Sequence, residues 1–231
     1  MGVMPEVSIT AEPLTGPRCL FLVGRPVAPD HWAYAVDRQS ARGSPLAEAL
    51  FAVEGMSSVL IAHDLIVITR SGDAGLPLVG PSVRMVRRVL GDTSARAPVA
   101  WKVLGKGVAR VLRAHLDSGQ VALSPSLIAS MPTTEQLRQR VRDVLDEQVN
   151  PVVASHGGGV DLVDLIDNVV YLRMSGGCQG CGLADVTLRH GVDAVIREAV
   201  PEIGRIHDLT NHAAGARPYQ SRGSSPFAIK K

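Results

Sequence analysis

Apolar side chains in the second half of the chain recur at helical spacing before they recur at strand spacing. The helical stripe consists of Leu137, Val141, Val144 and Leu145. Residues three and four apart share one helix face, so this stripe predicts an amphipathic helix that ends by Pro151. Thr133 and Gln136 come before it as a capping box, in which each side chain satisfies a free backbone N–H at the helix start.

The run HGGG at 156–159 ends the helical pattern, and strand spacing follows it. Apolar residues mark two strands with a turn at Asp167–Asn168 between them: Val160, Leu162 and Leu165, then Val170, Leu172 and Met174. A second helical stripe comprises Leu188, Val192, Val195, Ile196 and Ala199. Pro201 ends it, and residues 203–209 are predicted as a last strand. The order helix, strand, strand, helix, strand predicts one small sheet covered by two helices.

The first half of the chain is less regular but also mixes both periods. Strands are predicted at 18–23 and 32–36, with a hairpin over 59–69 that turns at His63–Asp64. Helices are predicted at 44–53, 76–90 and 101–116. The first of these has Ser44 as its cap and Pro45 at its first position. The whole chain is therefore predicted as an α+β protein of two small domains.

Composition narrows the class of protein. The 231 residues are 45% apolar and 20% charged, with a net charge of +2, which is typical of a globular chain. No stretch approaches the roughly 20 apolar residues of a membrane span, and the N-terminus lacks a signal core, so we expect a cytoplasmic protein with no membrane contact. No aromatic-flanked basic run suggests nucleic-acid binding. Three cysteines are too few for a disulfide scaffold.

The sequence GGCQGCG at 176–182 holds the candidate chemistry, because Cys178 and Cys181 can bind one metal ion or one cluster edge. Four glycines are predicted to support the loop by turning successive backbone N–H groups inward toward an anion or toward sulfur: Gly176, Gly177, Gly180 and Gly182. A helix that starts near Leu183 would add the positive end of its dipole.

The number of ligands limits what one loop can bind. A [4Fe–4S] cluster takes four thiolates and a structural zinc ion takes four Cys or His ligands, whereas this loop supplies two. Cys19 lies in an apolar strand of the other half and is predicted to be a buried core residue. His156 and His190 are predicted as ordinary surface residues, with a ligand role as the alternative. A two-fold homodimer would bring four thiolates together at a boundary from which the cargo can leave.

Two other classes of protein use the same motif. A thiol–disulfide oxidoreductase would use Cys178 and Cys181 as a redox pair, but such a motif normally follows a strand of a βαβ unit, and here it follows a hairpin. A zinc-stapled dimer would use the same four thiolates, and ligand spacing does not distinguish zinc from iron.

Residues 148–212 resemble the C-terminal NifU (NFU) domain of iron–sulfur cluster biogenesis. The resemblance rests on the glycines before the first strand, the GxCxGC loop, the helix start at Thr187–Gly191 and the VPEI of 200–203. The first half resembles the NFU N-terminal domain through EPLTGPRCLFLVGRPV, SPLAEALF and the spacing from Trp101 to the DSG that ends at Gly119. The chain departs from the family where Gly159 and Gly182 replace a frequent Asp and Pro, and neither position supplies a thiolate.

The resemblance implies a cluster scaffold or carrier rather than an enzyme. Family members hold a [4Fe–4S] cluster between the CxxC motifs of two subunits and pass it to apo iron–sulfur proteins by ligand exchange. The implied partners are these acceptors, the upstream cluster-assembly machinery and a second copy of the chain.

The resemblance and the chain pattern together predict the domain bounds. An N-terminal domain covers 7–120 with an insertion at about 71–99, a linker covers 121–132, and the cluster-binding domain covers 133–212. Residues 213–231 are expected to form a mobile tail.

Overall fold

The structure, a computed structural model, describes residues 7–71, 99–155, 157–181 and 191–215. The chain separates into two compact units, one over 1–131 and one over 132–231. Strands and helices occur in both units, which confirms the α+β prediction.

The N-terminal unit contains a five-stranded antiparallel sheet. Its strands are β1 (Ile9–Pro13), β2 (Arg18–Val23), β3 (Ala28–Ala35), β4 (Met56–His63) and β5 (Leu65–Arg70). They lie in the order β1-β2-β5-β4-β3. The hairpin turns at His63, which adopts a left-handed φ of 44°. The predictions for β2, β3 and this hairpin are confirmed, whereas β1 was not predicted because it buries no residue fully.

The described part of this unit also contains three helices: α1 (Pro45–Phe51), α2 (Trp101–Ser118) and α3 (Pro125–Ala129). Alternate strand residues and the apolar stripes of the helices form one core, which includes Phe21, Ile61, Ile68, Leu46, Leu104 and Leu112. Burial of these side chains is the main favourable term in the stability of the unit.

Two predictions in this unit need correction. Ser44 precedes α1, but its side chain does not cap that helix. Instead its Oγ accepts the Ser124 N–H at 2.9 Å, because Ser44 is fully buried beside the segment predicted as a linker. That segment contains α3, and Leu123 and Leu127 belong to the core, so it is packed structure rather than a plain connector.

The C-terminal unit has helix, strand, strand, helix, strand as its main order. Its elements are α4 (Thr134–Val144), a π-helical turn (Leu145–Val149), α5 (Asn150–Ala154), β6 (Gly158–Ile166), β7 (Val169–Gly176), α6 (Asp193–Ala199), β8 (Arg205–Asp208) and a 3₁₀ turn (His212–Ala214). The sheet order is β6-β7-β8, with β6 antiparallel and β8 parallel to β7.

Local sequence signals determine where these elements begin and turn. The capping box of Thr133 and Gln136 is present with both hydrogen bonds, as predicted. Asp167 and Asn168 form the hairpin turn with positive φ angles of 49° and 62°. Asp and Asn tolerate this left-handed conformation better than most residues do. Near the start of β6, the side chain of Asn150 accepts the Val160 N–H at 2.9 Å.

Several predictions lie outside the described residues. They are the helix at 76–90, the helix start near Leu183, the positions of His156 and His190, and the tail beyond residue 215. Within the described parts, no helix combines the length and the apolar character that crossing a membrane requires.

Candidate metal centre

The CxxC loop begins where β7 ends. Gly176 is the last residue of that strand, and a tight turn carries the chain through 177–180 to Cys181. Gly176 and Gly180 have φ angles of 57° and 76°, which side chains with a Cβ rarely adopt. These two glycines therefore set the sharp path that brings the two cysteines onto one loop.

Cys178 is buried, with only 8% of its surface exposed. Its side chain lies on Gly158 at the start of β6, where a Cβ would approach the Cys178 backbone N to 3.1 Å and its Cβ to 3.3 Å, and would overlap Sγ. Burial raises the pKa of the Cys178 thiol, and the neighbouring Cys181 raises it further. Gly158, which the sequence marked only as part of the run that ends the helical pattern, thus leaves room for a candidate ligand.

Cys181 is the more accessible thiol of the pair. None of the three cysteines, all of which are described, is in a disulfide. Among the described residues, no set of three or more His, Cys, Asp or Glu side chains is placed to hold a metal ion. The described loop therefore presents two sulfur donors, the soft ligands that suit iron–sulfur clusters and zinc.

The prediction that the loop N–H groups turn inward to form an anion site is wrong for residues 177–181. Each of these five N–H groups donates to a protein acceptor. The acceptors, in chain order, are Gly157 O at 2.8 Å, Ser175 O at 3.2 Å, Gly176 O at 3.1 Å, His212 Nδ1 at 3.2 Å and Cys178 O at 3.4 Å. The hydrogen bonds hold the loop in one shape, so its N–H groups support the cysteines by fixing the backbone.

The segment after β8 packs against this loop. Gln179 Nε2 donates to Asn211 O at 2.9 Å, and His212 accepts the Gly180 N–H. Asp208 accepts hydrogen bonds from Thr210 and pairs with His212 at 2.8 Å. Burial acts to raise the pKa of Asp208, but the bonds from Thr210 and His212 outweigh it and hold that pKa below its ordinary value.

Sequence reasoning did not assign a role to Asp208, Thr210 or His212. The apolar pattern contains no signal for them, because Asp208 ends a four-residue strand, Thr210 and His212 follow it, and none of the three belongs to an amphipathic stripe. The only available signal was that DLTNH lies within the segment that resembles the NFU domain.

The other predicted site residues have different positions. Gly177 lies in the turn and donates to Gly157 O, and Gly182 lies outside the described residues. Cys19 is in β2 of the N-terminal unit, with 8% exposure, which confirms that it is a buried core residue. Burial, together with the charge of Glu12, raises the pKa of Cys19.

Comparison with known proteins identifies both units. Residues 141–207 match the NifU-like domain, and residues 9–88 match the N-terminal domain of the scaffold protein Nfu/NifU. An Fe/S biogenesis protein NfuA from Xylella fastidiosa is 38% identical over 134 residues, which are 57% of this chain and 67% of that protein. NfuA from Xanthomonas euvesicatoria is 46% identical over 88 residues, which are 38% of this chain and 44% of that protein.

Among solved structures, a NifU-like protein from Saccharomyces cerevisiae aligns with a TM-score of 0.38 and 16% identity, over 54% of this chain and 91% of that one. The two domain matches follow each other in the chain as the two units do. With the Xylella relative matched over two thirds of its length, the chain belongs to the NifU/Nfu family of Fe/S biogenesis proteins.

Proposed function

We propose that this protein is a scaffold or carrier that binds a [4Fe–4S] cluster between the CxxC loops of two copies. The observation that carries the proposal is that Cys178 and Cys181 lie on one glycine-shaped loop, with no third metal-binding side chain grouped with them among the described residues. Four thiolates are the usual ligand set of such a cluster. A two-fold pair of loops supplies that set.

The different exposure of the two thiols suggests an order of loading. Cys181 is the more accessible, so it meets incoming iron and sulfide first. Cys178 is 8% exposed and must turn away from Gly158 before its sulfur reaches a shared site. A thiol that is buried when empty is also protected from oxidation between rounds of loading.

Delivery follows from ligand exchange. A thiol of the acceptor replaces Cys178 or Cys181 on iron, so one iron–sulfur bond forms as another breaks. The acceptor's proton passes to the departing thiolate, and the oxidation state of the cluster does not change. The protein makes or breaks no bond to a substrate carbon, so in this proposal it is not an enzyme.

The partners follow from the same chemistry. The acceptors are apo iron–sulfur proteins with open cysteine sites, and the upstream cluster-assembly machinery is the source when clusters are not built on the protein itself. The cytoplasm is the proposed compartment, because reduced thiols persist there. The cluster is cargo at a subunit boundary, where both the upstream machinery and the acceptor proteins can reach it.

The proposal is tested by anaerobic reconstitution with iron and sulfide, followed by metal and sulfide analysis and a solution mass. We expect about four iron and four sulfide per dimer, as a cubane cluster requires, and a monomer after the cluster is stripped. Cys178→Ser and Cys181→Ser should each abolish cluster binding and cluster-dependent dimerisation while the fold is kept.

The matched control is Cys19→Ser, which changes a cysteine of the other unit and should alter neither property. Iron retained by Cys178→Ser or Cys181→Ser would refute the bridged site. A stable zinc dimer that refuses iron would identify the structural alternative. A redox-active monomer without iron would identify a thiol–disulfide oxidoreductase.

A further inference from the structure

The imidazole of His212 lies between the CxxC loop and a carboxylate. Its Nδ1 accepts the N–H of Gly180 at 3.2 Å, and its Nε2 lies 2.8 Å from Oδ2 of Asp208. The ring is largely buried, with 23% of the side chain exposed, and the Asp208 side chain is 16% exposed. Both ring nitrogens are therefore engaged within the protein.

These contacts determine the tautomer of the ring. A backbone N–H can only donate, so Nδ1 of His212 must be the unprotonated acceptor nitrogen. The proton of the neutral ring is then on Nε2, where it donates to Asp208. The carboxylate selects the one tautomer in which His212 can hold Gly180.

The same carboxylate is also linked, through Thr210, to the strand that leads into the loop. Oδ1 of Asp208 accepts the Thr210 N–H at 2.8 Å and the Thr210 hydroxyl proton. The Thr210 Oγ1 in turn accepts the Met174 N–H of β7 at 2.6 Å. Asp208 thus connects, through Thr210 and His212, to both sides of Cys178.

Gly180 is the residue whose conformation matters most between the two cysteines. It lies directly before Cys181 and has a φ of 76°, in a region where glycine is free to change conformation. Its N–H donates to the His212 side chain, whereas the N–H groups of the three preceding loop residues, 177–179, donate to backbone carbonyls. If that bond is lost, the Gly180–Cys181 link can rotate, and the backbone between the two cysteines is no longer preset.

We propose that His212, held in one tautomer by Asp208, is a positioning residue for the CxxC loop. By accepting the Gly180 N–H it presets the backbone between Cys178 and Cys181, so that less conformational entropy is lost when both sulfurs bind cargo. His212 does not itself bind the metal in this arrangement, because Nδ1 and Nε2 are both occupied. The cargo part of this inference rests on the proposed function.

Two substitutions separate the two hydrogen bonds of the ring. In His212→Asn, the side-chain oxygen can occupy the place of Nδ1 and still accept the Gly180 N–H, but the donor to Asp208 is lost. In His212→Gln, the side-chain nitrogen can occupy the place of Nε2 and still donate to Asp208, but the acceptor for Gly180 is lost. The two variants are matched in polarity, and each removes one bond.

The first measurement uses the apo protein, so it does not depend on cluster binding. Hydrogen exchange of the Gly180 amide should be about tenfold faster in His212→Gln than in wild type, which is the order of one lost hydrogen bond. In His212→Asn, the Gly180 amide should exchange at close to the wild-type rate. If the ring only filled space, both substitutions would instead accelerate this exchange. Equal acceleration in both variants, or in neither, would overturn the proposal.

A second measurement uses wild type alone, so it tests the proposal even if a variant fails to fold. The ¹⁵N shifts of the neutral His212 ring should show an unprotonated Nδ1 and a protonated Nε2. The opposite tautomer would overturn the proposal, because Nδ1 would then be unable to accept the Gly180 N–H.

The last measurement links positioning to cargo. After reconstitution, an iron chelator should withdraw iron several times faster from His212→Gln than from wild type, and His212→Asn should resemble wild type. Equal rates in all three would overturn the cargo part of the inference. If wild type takes up no cluster, the proposed function fails, whereas the amide exchange still decides whether His212 positions the loop.

Discussion

The side chain of Cys178 packs directly on the Cα of Gly158, across the start of the β6–β7 hairpin. A Cβ at residue 158 would come within 3.1 Å of the Cys178 backbone N and would overlap the sulfur. The absence of a side chain at Gly158 is therefore what allows the thiol to be buried.

Replacing Gly158 by Ala should force Cys178 from this position. We expect a loss of about 1–3 kcal/mol in the free energy of unfolding, as for other overpacked sites, and faster alkylation of Cys178 in the apo protein. Gly191→Ala is the matched control, since a Cβ there would meet no atom of the described residues within 4 Å. Unchanged alkylation of Cys178 in Gly158→Ala would contradict the packing described above.

The three thiols should react in a fixed order under native conditions. Cys181 is partly exposed, whereas burial raises the pKa values of Cys178 and Cys19 and lowers their thiolate fractions. Iodoacetamide should therefore modify Cys181 first, as peptide mapping after a short exposure would show. In denaturant the three should react alike. Native labelling of Cys19 before Cys181 would be inconsistent with the fold.

The carboxylate of Asp208 should contribute to stability in a way that depends on pH. Its folded pKa lies below the ordinary value of 3.8, so the folded state binds fewer protons than the unfolded state near that pH. The contribution is complete above the ordinary pKa and is lost as pH falls through the lowered one. The wild-type advantage over Asp208→Asn should be larger near about pH 6 than near about pH 3 in urea denaturation. An equal advantage at both pH values would argue against the linkage.

The guanidinium of Arg197 should be a major stabiliser of the C-terminal unit. Arg197 is 1% exposed, pairs with Asp193 at 2.9 Å, and donates to the carbonyl oxygens of Ile203 and Gly204 at 3.0 and 3.1 Å. Its removal leaves a mostly buried carboxylate without its ion pair. Arg197→Ala should therefore cost about 3–5 kcal/mol in the free energy of unfolding.

Arg142→Ala is the control for that prediction. Arg142 also pairs with a carboxylate, that of Glu135 at 3.6 Å, but both side chains are about half exposed or more. Such a surface pair contributes about 0–1 kcal/mol. Comparable losses in the two variants would mean that the burial of Arg197 is not what makes it important.

Local pattern was sufficient to predict most elements. The stripe ending at Leu145, the capping box of Thr133 and the turn at Asp167–Asn168 each depend on residues within one or two turns of chain, and each is present in the structure. The spacing of Cys178 and Cys181 indicated a metal loop for the same reason, since both ligands lie on one short segment.

Pattern was insufficient where a partner comes from a distant segment. Ser44 carries a good cap signal, yet its hydroxyl accepts an N–H from Ser124, which is 80 residues away. The segment around Leu127 lacks a period, and only the tertiary structure shows that Leu127 packs into the core beside it. A periodic pattern predicts which face of an element is buried, but it contains no information about which polar group of a distant segment bonds to that face.

The sequence by itself determined the α+β class, the order of the main elements and the identity of the two candidate ligands, because these depend on near-neighbour spacing and side-chain chemistry. Only the tertiary structure decided the surroundings of those ligands. It placed Gly158 under Cys178, and it directed the Gly180 N–H to His212, 32 residues away, rather than inward. The physical reason is that a buried N–H must find some acceptor, and which acceptor is within reach depends on how distant segments pack.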